Sequence, residues 1–173
     1  MEGQWAKRLD AALIGTKNWM DLGVVAAAVV FADVLSKQVA VFWLSGAPLG
    51  VAVTPFFNLR LSYNSGISFS LLSATGPGGV IGLLAFAAVM VVALARSGVR
   101  ASGAIERIGY GLIIGGALGN MVDRARDGFV SDFIDAHAFG WHWPSFNLAD
   151  VAITCGTALI LVSCTVLSRA DPA

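Results

Sequence analysis

The chain has 173 residues, of which 57% are hydrophobic and only 13% are charged. Soluble domains carry about 25% charged residues, so this composition excludes a solvated globular protein and predicts one embedded in lipid. Eleven Lys and Arg residues balance eleven Asp and Glu residues. This balance leaves no basic excess for binding nucleic acid, and membrane lipids are the expected surroundings.

Long gaps between charged residues locate the predicted membrane spans. No charged residue occurs in three stretches, at 61–95, 108–122 and 151–168. Because a bilayer core needs about 20 mostly apolar residues per helix, each stretch predicts one span. A first span is expected at about 20–44. This region contains Asp33 and Lys37, charges that are costly inside a membrane and therefore need a specific reason to be there.

We therefore expect an α-helical integral membrane protein with a single membrane domain over residues 1–173. Its four transmembrane helices are predicted at about 20–44, 78–95, 104–122 and 149–168. Seven Lys and Arg residues fall on the side that holds both termini, and three fall on the opposite side. Since basic residues are enriched on the cytoplasmic side of membranes, both termini are expected in the cytoplasm.

Two outer loops follow from this orientation, at about 45–77 and 123–148. In the first loop, Phe57, Leu59, Leu61 and Tyr63 alternate with polar residues, which predicts a strand with one apolar face. A turn at 64–66 and a second alternation at 67–71 predict a return strand. We expect a small amphipathic β-sheet at the outer, periplasmic interface.

The glycines of the third span and the N-terminal segment 5–17 are interpreted as structural features. Gly111, Gly115 and Gly119 recur every four residues in the third span, a spacing that predicts close packing against another helix. Residues 5–17 either lie flat on the inner membrane surface as an amphipathic helix or fray as an ordinary terminus.

The second outer loop concentrates the charges. Seven of the 22 charged residues fall within 123–150. A solvated loop with salt bridges to Arg124 and Arg126 is the simplest interpretation. However, the apolar neighbours of Asp132 and the aromatic cluster at 141–143 place the loop against the membrane. Asp150 opens the fourth span, where a carboxylate can cap the helix.

Carboxylates in this setting offer acid and base chemistry. Two carboxylates close together in a poorly solvated site share a proton. The charged one can take a proton from water while the neutral one donates a proton to a carbonyl oxygen. No motif for a metal site or a nucleophilic serine or cysteine competes, and His137 and His142 are interpreted as polar interfacial residues.

Five sequence blocks carry a family resemblance. They are DVLSK at 33–37, FNLRLSYNSGISFS at 57–70, GGALGNMVDR at 115–124, GFVSDF at 128–133 and FNLAD at 146–150. In order and spacing the chain resembles the bacterial lipoprotein signal peptidases, also called signal peptidase II, from about residue 20 to 168.

The resemblance implies an intramembrane aspartic endopeptidase without a metal or cofactor. Such an enzyme cleaves the signal peptide from prolipoproteins immediately before a cysteine that carries a diacylglyceryl group. Carried over by position, Asp132 and Asp150 form the catalytic pair. The resemblance also implies a multi-pass protein of the bacterial cell inner membrane, with its active site near the outer face.

Further residues are expected to support the site or bind substrate. By the resemblance these are Asn64, Gly66, Asn120, Asp123, Arg124 and Asn147. Asn120 and Arg124 are four residues apart, so on a continuous helix they point the same way, and the guanidinium could bind a substrate carbonyl. Asp33 and Lys37 have the same spacing. They form either an intrahelical ion pair that eases burial in lipid or a site for substrate placement.

Other functions predict different patterns. A small transporter or proton-conducting protein would carry acidic residues at mid-span on several helices, whereas these residues concentrate at one rim. A structural subunit would tolerate replacement of Asp132 and Asp150. A presenilin-like protease would carry a GxGD signature, which this sequence lacks.

Overall fold

The computed structural model describes residues 2–66 and 76–170, with the side chains of 15–66 and 76–165. The predicted return strand at 67–71 and the side chains on which the interpretation of 5–17 depends lie outside the described residues. Within the described part, the helices are α1 (Glu2–Leu44), α2 (Gly76–Arg100), α3 (Ala104–Asp127) and α4 (Leu148–Ala170). The strands are β1 (Val51–Thr54), β2 (Phe57–Asn64), β3 (Val130–Ala138) and β4 (Trp141–His142).

Three of the described helices are long and apolar enough to cross a membrane, namely α1 from Gly15 onward, α2, and α4 as far as Thr165. Large apolar side chains such as Phe31, Phe86 and Leu161 are exposed on their outer surfaces. A band of this kind faces lipid in membrane proteins. The helix α3 contains the predicted span 104–122 but is less apolar, because it is glycine-rich and carries charges near both ends.

Helix α3 is the centre of the bundle and packs against α1, α2 and α4. A Cβ atom added to Gly111 would lie 2.8 Å from the side chain of Val25, and one on Gly115 would lie 2.7 Å from Val29. The glycine seam predicted from the sequence is therefore confirmed, and it faces α1. A further glycine, Gly116, makes the same close approach to Ile153 of α4.

The strands form one antiparallel sheet in the order β1-β2-β3-β4. Strand β2 confirms the strand predicted at 57–63 but not its single apolar face, because Tyr63 is exposed, Asn58 is half-buried, and a bulge shifts the register between Leu59 and Ser62. Its described partners are β1 and β3, with Asn58 opposite Asp135 and Asn64 opposite Val130. Strand β3 belongs to the second outer loop and was not predicted, because polar residues interrupt its apolar pattern. The sheet therefore joins the two outer loops.

Helix ends connect this sheet to the bundle. Gly128 ends α3 in the left-handed conformation (φ 82°), and its N–H donates to the carbonyl of Arg124. This turn allows β3 to begin two residues later. At the other end of the loop, the carbonyl of Phe146 accepts hydrogen bonds from the N–H groups of Phe133 and Ile134. Strand β3 is thus fixed between the end of α3 and the start of α4.

Candidate active site

Asp132 lies on β3 and is only 3% exposed. Its Oδ1 accepts a hydrogen bond from Nδ2 of Asn147 (2.6 Å), and its Oδ2 accepts one from Nδ2 of Asn64 (3.3 Å). Burial, and after it the negative charge of Asp150, raises the pKa of Asp132 to about 6. The two amide hydrogen bonds oppose that rise because they favour the charged form.

Asp150 lies in the first turn of α4. Its Oδ2 accepts a hydrogen bond from the backbone N–H of Asn147 (3.2 Å), and Oδ1 of Asn147 accepts one from the backbone N–H of Asp150 (3.1 Å). This reciprocal arrangement is a capping box, so the capping role considered for Asp150 is confirmed. Its Oδ1 remains available to the site and accepts a hydrogen bond from Nδ2 of Asn120 (3.0 Å).

Two asparagines connect the two carboxylates. Nδ2 of Asn147, a fully buried residue, also lies 3.2 Å from Oδ1 of Asn120. The path therefore runs from Asp132 through Asn147 and Asn120 to Asp150. Neutral amides can hold two carboxylates close together without fixing either one as permanently charged, which a lysine or arginine in the same place would do.

A buried ionic network supports these amides. Nζ of Lys37 lies 2.8 Å from Oδ2 of Asp33, 3.2 Å from Oδ2 of Asp123 and 2.9 Å from Oδ1 of Asn120. Asp33 and Lys37 are almost completely buried. The intrahelical ion pair considered for these two residues is therefore confirmed, and its ammonium group also orients Asn120.

The same network fixes the elements that carry the two candidate catalytic carboxylates. Oδ1 of Asp33 accepts a hydrogen bond from the backbone N–H of Ala149 (2.9 Å), at the start of α4. Oδ2 of Asp123 accepts one from the backbone N–H of Ser131 (3.2 Å), immediately before Asp132. A carboxylate at a helix N-terminus is favourable because the amides there are free donors. These charges therefore position both elements.

The candidate catalytic carboxylates face a cavity of about 870 Å³ between α2, α3, α4 and the sheet. Its polar end is lined by Asn64, Gly66, Asn120, Arg124, Asp132 and Asp150. The opposite wall is apolar and includes Phe86 and Met90 of α2. Nothing polar in the sequence of α2 marks this wall, so only the packing of the helices reveals it. Asp33, Lys37 and Asp123 are not among the described residues that line the cavity.

Arg124 lies beside the carboxylates on the last turn of α3. Its Nη2 donates a hydrogen bond to the carbonyl oxygen of Gly66 (2.8 Å). Its Nε is buried and has no hydrogen-bond partner among the described residues. The guanidinium thus already binds one backbone carbonyl at the cavity.

The remaining charges of the second loop are separate from the cavity. Arg126 and Asp127 form an exposed ion pair. For these two residues, the predicted solvated loop with salt bridges is confirmed. Asp135 accepts hydrogen bonds from His142 (2.7 Å) and Asn58 (3.0 Å). Burial alone would raise the pKa of Asp135, but these two partners hold it below its usual range.

Comparison with known proteins agrees with this architecture. Residues 25–166 match the family described as Signal peptidase (SPase) II. A lipoprotein signal peptidase from Rhodopseudomonas palustris is 45% identical over 148 residues, covering 81% of this chain and 89% of the relative. One from Francisella tularensis subsp. novicida is 40% identical over 146 residues, covering 81% and 88%.

Two solved structures have a similar fold. One described as a bacterial membrane enzyme has a TM-score of 0.75 at 26% identity, and it covers 87% of this chain and 91% of its own. A second with the same description has a TM-score of 0.68 at 27% identity, covering 82% and 90%.

The fold and the site define a helix-bundle membrane protein with paired carboxylates on a cavity at one end. The length and identity of the matches then specify the family. The chain belongs to the signal peptidase II family, and it is a peptidase of bacterial membranes.

Proposed function

We propose that this chain is an intramembrane aspartic endopeptidase that cleaves the signal peptide of diacylglyceryl-modified prolipoproteins immediately before the lipidated cysteine. One observation carries the proposal. Asp132 and Asp150 come from different elements, face the same cavity, and are connected through Asn147 and Asn120. The names of the relatives, lipoprotein signal peptidases, supply the substrate class.

The chemistry follows from sharing one proton between the pair. The charged carboxylate takes a proton from a water molecule, whose oxygen attacks the carbonyl carbon of the scissile amide. The neutral carboxyl donates its proton to the carbonyl oxygen. The tetrahedral intermediate then collapses as the C–N bond breaks. The leaving amine takes one proton from the pair, and the pair recovers one from the intermediate's hydroxyl.

The raised pKa of Asp132 supports this mechanism. A pKa of about 6 allows the pair to retain a proton close to neutral pH, whereas two ordinary aspartates would both be ionised. The proton belongs to the coupled pair and not to one fixed member. Arg124 is proposed to bind a substrate backbone carbonyl through its guanidinium, because it lines the cavity beside both carboxylates and already binds the carbonyl oxygen of Gly66.

The cavity suits an extended, partly apolar substrate. A peptidase must reach an amide that is not protected by helical hydrogen bonds, and the rim of a membrane is where a segment can be extended and water can enter. The apolar wall of the cavity on α2 offers surface for the signal peptide's apolar residues. Asn64 and Gly66 are proposed to hold the substrate from the side of the sheet.

The membrane arrangement is part of the proposal. We propose four spans, with α3 as the shielded central helix, both termini in the cytoplasm, and Asp132 and Asp150 near the outer face of the bacterial inner membrane. The ends of α3 and α4 that carry the site then lie on the side with fewer basic residues. The diacylglyceryl chains of a substrate would remain in the outer leaflet beside the cavity.

A cleavage assay in detergent or lipid tests the function. The probe is a prolipoprotein carrying a diacylglyceryl cysteine, and the product is followed by gel shift with mass spectrometry of the new N-terminus. We expect cleavage before the lipidated cysteine, and its loss in Asp132→Asn and in Asp150→Asn. The matched control is Asp127→Asn, which removes an exposed carboxylate from the same region and should cleave normally. Undiminished cleavage by both test variants would contradict the proposal.

A further inference from the structure

A second polar cavity lies at the end of the bundle opposite the carboxylate pair. It has a volume of about 500 Å³ and is lined by the basic residues Lys17, Arg100 and Arg107 together with Asn18. These residues come from α1, α2 and α3. Asn18 is buried, and its Nδ2 donates to the carbonyl oxygen of Val99 (2.9 Å), which fixes α1 to the end of α2. Residues of three helices therefore form this cavity.

The positive charge of this cavity is only partly compensated. Arg107 places Nε 3.4 Å from Oδ2 of Asp21 and donates through Nη1 to the carbonyl oxygen of Ala101. Lys17 and Arg100 have no ion pair with any residue whose side chain the structure describes. Two of the three basic groups thus remain available to an anion from outside the chain.

An apolar groove of about 770 Å³ lies on the adjacent turns of the same helices, towards the other end of the bundle. Both are lined by α1, α2 and α3, and they use adjacent residues or turns of α1 and α2. Asn18 lines the polar cavity and Trp19 the groove, while Val99 lines the polar cavity and Ala95, one turn earlier on α2, lines the groove. Together the two offer a cationic end and a long apolar wall on neighbouring turns of the same helices.

We propose that this combined site binds an anionic glycerophospholipid, with its phosphate on Lys17, Arg100 and Arg107 and an acyl chain in the groove. The occupant follows from the two parts together, because a free phosphate would use only the cationic end. That this lipid comes from the inner leaflet rests on the membrane orientation proposed above. Basic residues at this position of a membrane protein also favour anionic headgroups through electrostatic attraction.

Native mass spectrometry of the purified full-length protein tests this inference. The probes are equimolar phosphatidylglycerol and phosphatidylethanolamine with identical acyl chains. We expect the protein to retain phosphatidylglycerol at least fivefold over phosphatidylethanolamine, and the double variant Lys17→Gln, Arg100→Gln to lose this preference. The control Arg96→Gln removes an exposed charge one turn earlier on α2, outside the described lining of the cavity, and should keep the preference within twofold.

The groove is tested separately. Ala27→Trp adds a large side chain in the groove at an exposed position, so we expect weaker retention of long-chain phosphatidylglycerol and unchanged binding of glycerol 3-phosphate. Equal retention of the two lipids, or an equal loss in Arg96→Gln, would overturn the proposal. Glycerol 3-phosphate binding as tightly as the lipid would also overturn it, in favour of a free-anion site. Because lipid retention is the readout, failure here is distinguishable from failure of the peptidase proposal.

Discussion

The side-chain amide of Asn147 donates a 2.6 Å hydrogen bond to the carboxylate of Asp132 while the same residue caps the helix that carries Asp150. One buried residue therefore sets the positions of both carboxylates. If α4 moved relative to β3, this amide could not satisfy both partners. The precision of the site depends on a polar contact between the sheet and the bundle.

Replacement of Asn147 should affect both rate and pH dependence. A hydrogen bond to a charged group contributes about 1.5–3 kcal/mol, so we expect Asn147→Ala to lower kcat by about tenfold to a hundredfold. Because the lost bond favours the charged form, the pKa of Asp132 should rise above about 6, and the corresponding limb of the pH–rate profile should move to higher pH. The measurement is cleavage rate against pH.

The control for that experiment is Asn58→Ala. Asn58 donates to Asp135 on the same sheet, but neither residue is among the described residues that line the cavity. An unchanged profile in Asn147→Ala, or an equal change in Asn58→Ala, would show that the contact with Asp132 does not tune the pair.

The buried ionic network predicts a large effect on stability. Lys37→Met leaves Asp33 and Asp123 buried without their cation, and breaking a buried pair costs about 3–5 kcal/mol. We expect a strongly lowered Tm in detergent. The exposed pair supplies the control, because Arg126→Met should change the free energy of unfolding by less than about 1 kcal/mol. Similar small effects of both substitutions would contradict the structural role assigned to Lys37.

Asp132 itself is predicted to reduce stability at neutral pH. Its folded-state pKa is raised from 3.8 to about 6, so the folded state binds a proton more tightly than the unfolded state between these values. Stability therefore decreases as pH rises through this window, by on the order of 3 kcal/mol. We expect Asp132→Asn to be inactive and more stable than the unmodified protein at pH 7. Thermal unfolding of the unmodified protein and of Asp132→Asn at pH 4 and pH 7 measures the difference in stability. If Asp132→Asn gained more stability at pH 4 than at pH 7, the prediction would be contradicted.

Close packing between α3 and α4 predicts a defined steric effect. A Cβ on Gly116 would lie 2.8 Å from the side chain of Ile153 and overlap the carbonyl oxygen of Ala149. Gly116→Ala should separate the helices that hold Asn120 and Asp150, with a cost of about 1–3 kcal/mol and reduced cleavage. Gly82→Ala is the matched control, because beyond the adjacent backbone of its own helix no atom of the described residues lies within 4 Å of its added Cβ. Equal Tm values for the two variants would contradict this packing.

Much of the bundle could be predicted from the sequence because its signals are local. Charge-free stretches predicted the long helices, and the glycine spacing predicted that α3 packs closely against another helix, which the structure shows to be α1. The four-residue spacing of Asp33 and Lys37 likewise gave their ion pair as one of two interpretations, and the structure shows that pair. These inferences need only the period of a helix and the cost of placing charge in lipid.

The site required contacts that no local pattern contains. Strand β3 pairs with a strand about 70 residues earlier, and its buried polar residues concealed it. The contacts of Asp33 with Ala149 and of Asp123 with Ser131 join distant segments. The family resemblance indicated Asp132 and Asp150, but the asparagine path between them depends on the arrangement of three elements.

Asp132 and Asp150 are proposed to act as one catalytic unit. The most direct measurement is the cleavage rate of Asp132→Asn, Asp150→Asn and the double variant, with folding of each verified by Tm. Residues that act together are strongly non-additive, so the double variant should be no slower than the slower single variant. A double variant that lost activity by the product of the two single effects would show independent contributions and contradict the account.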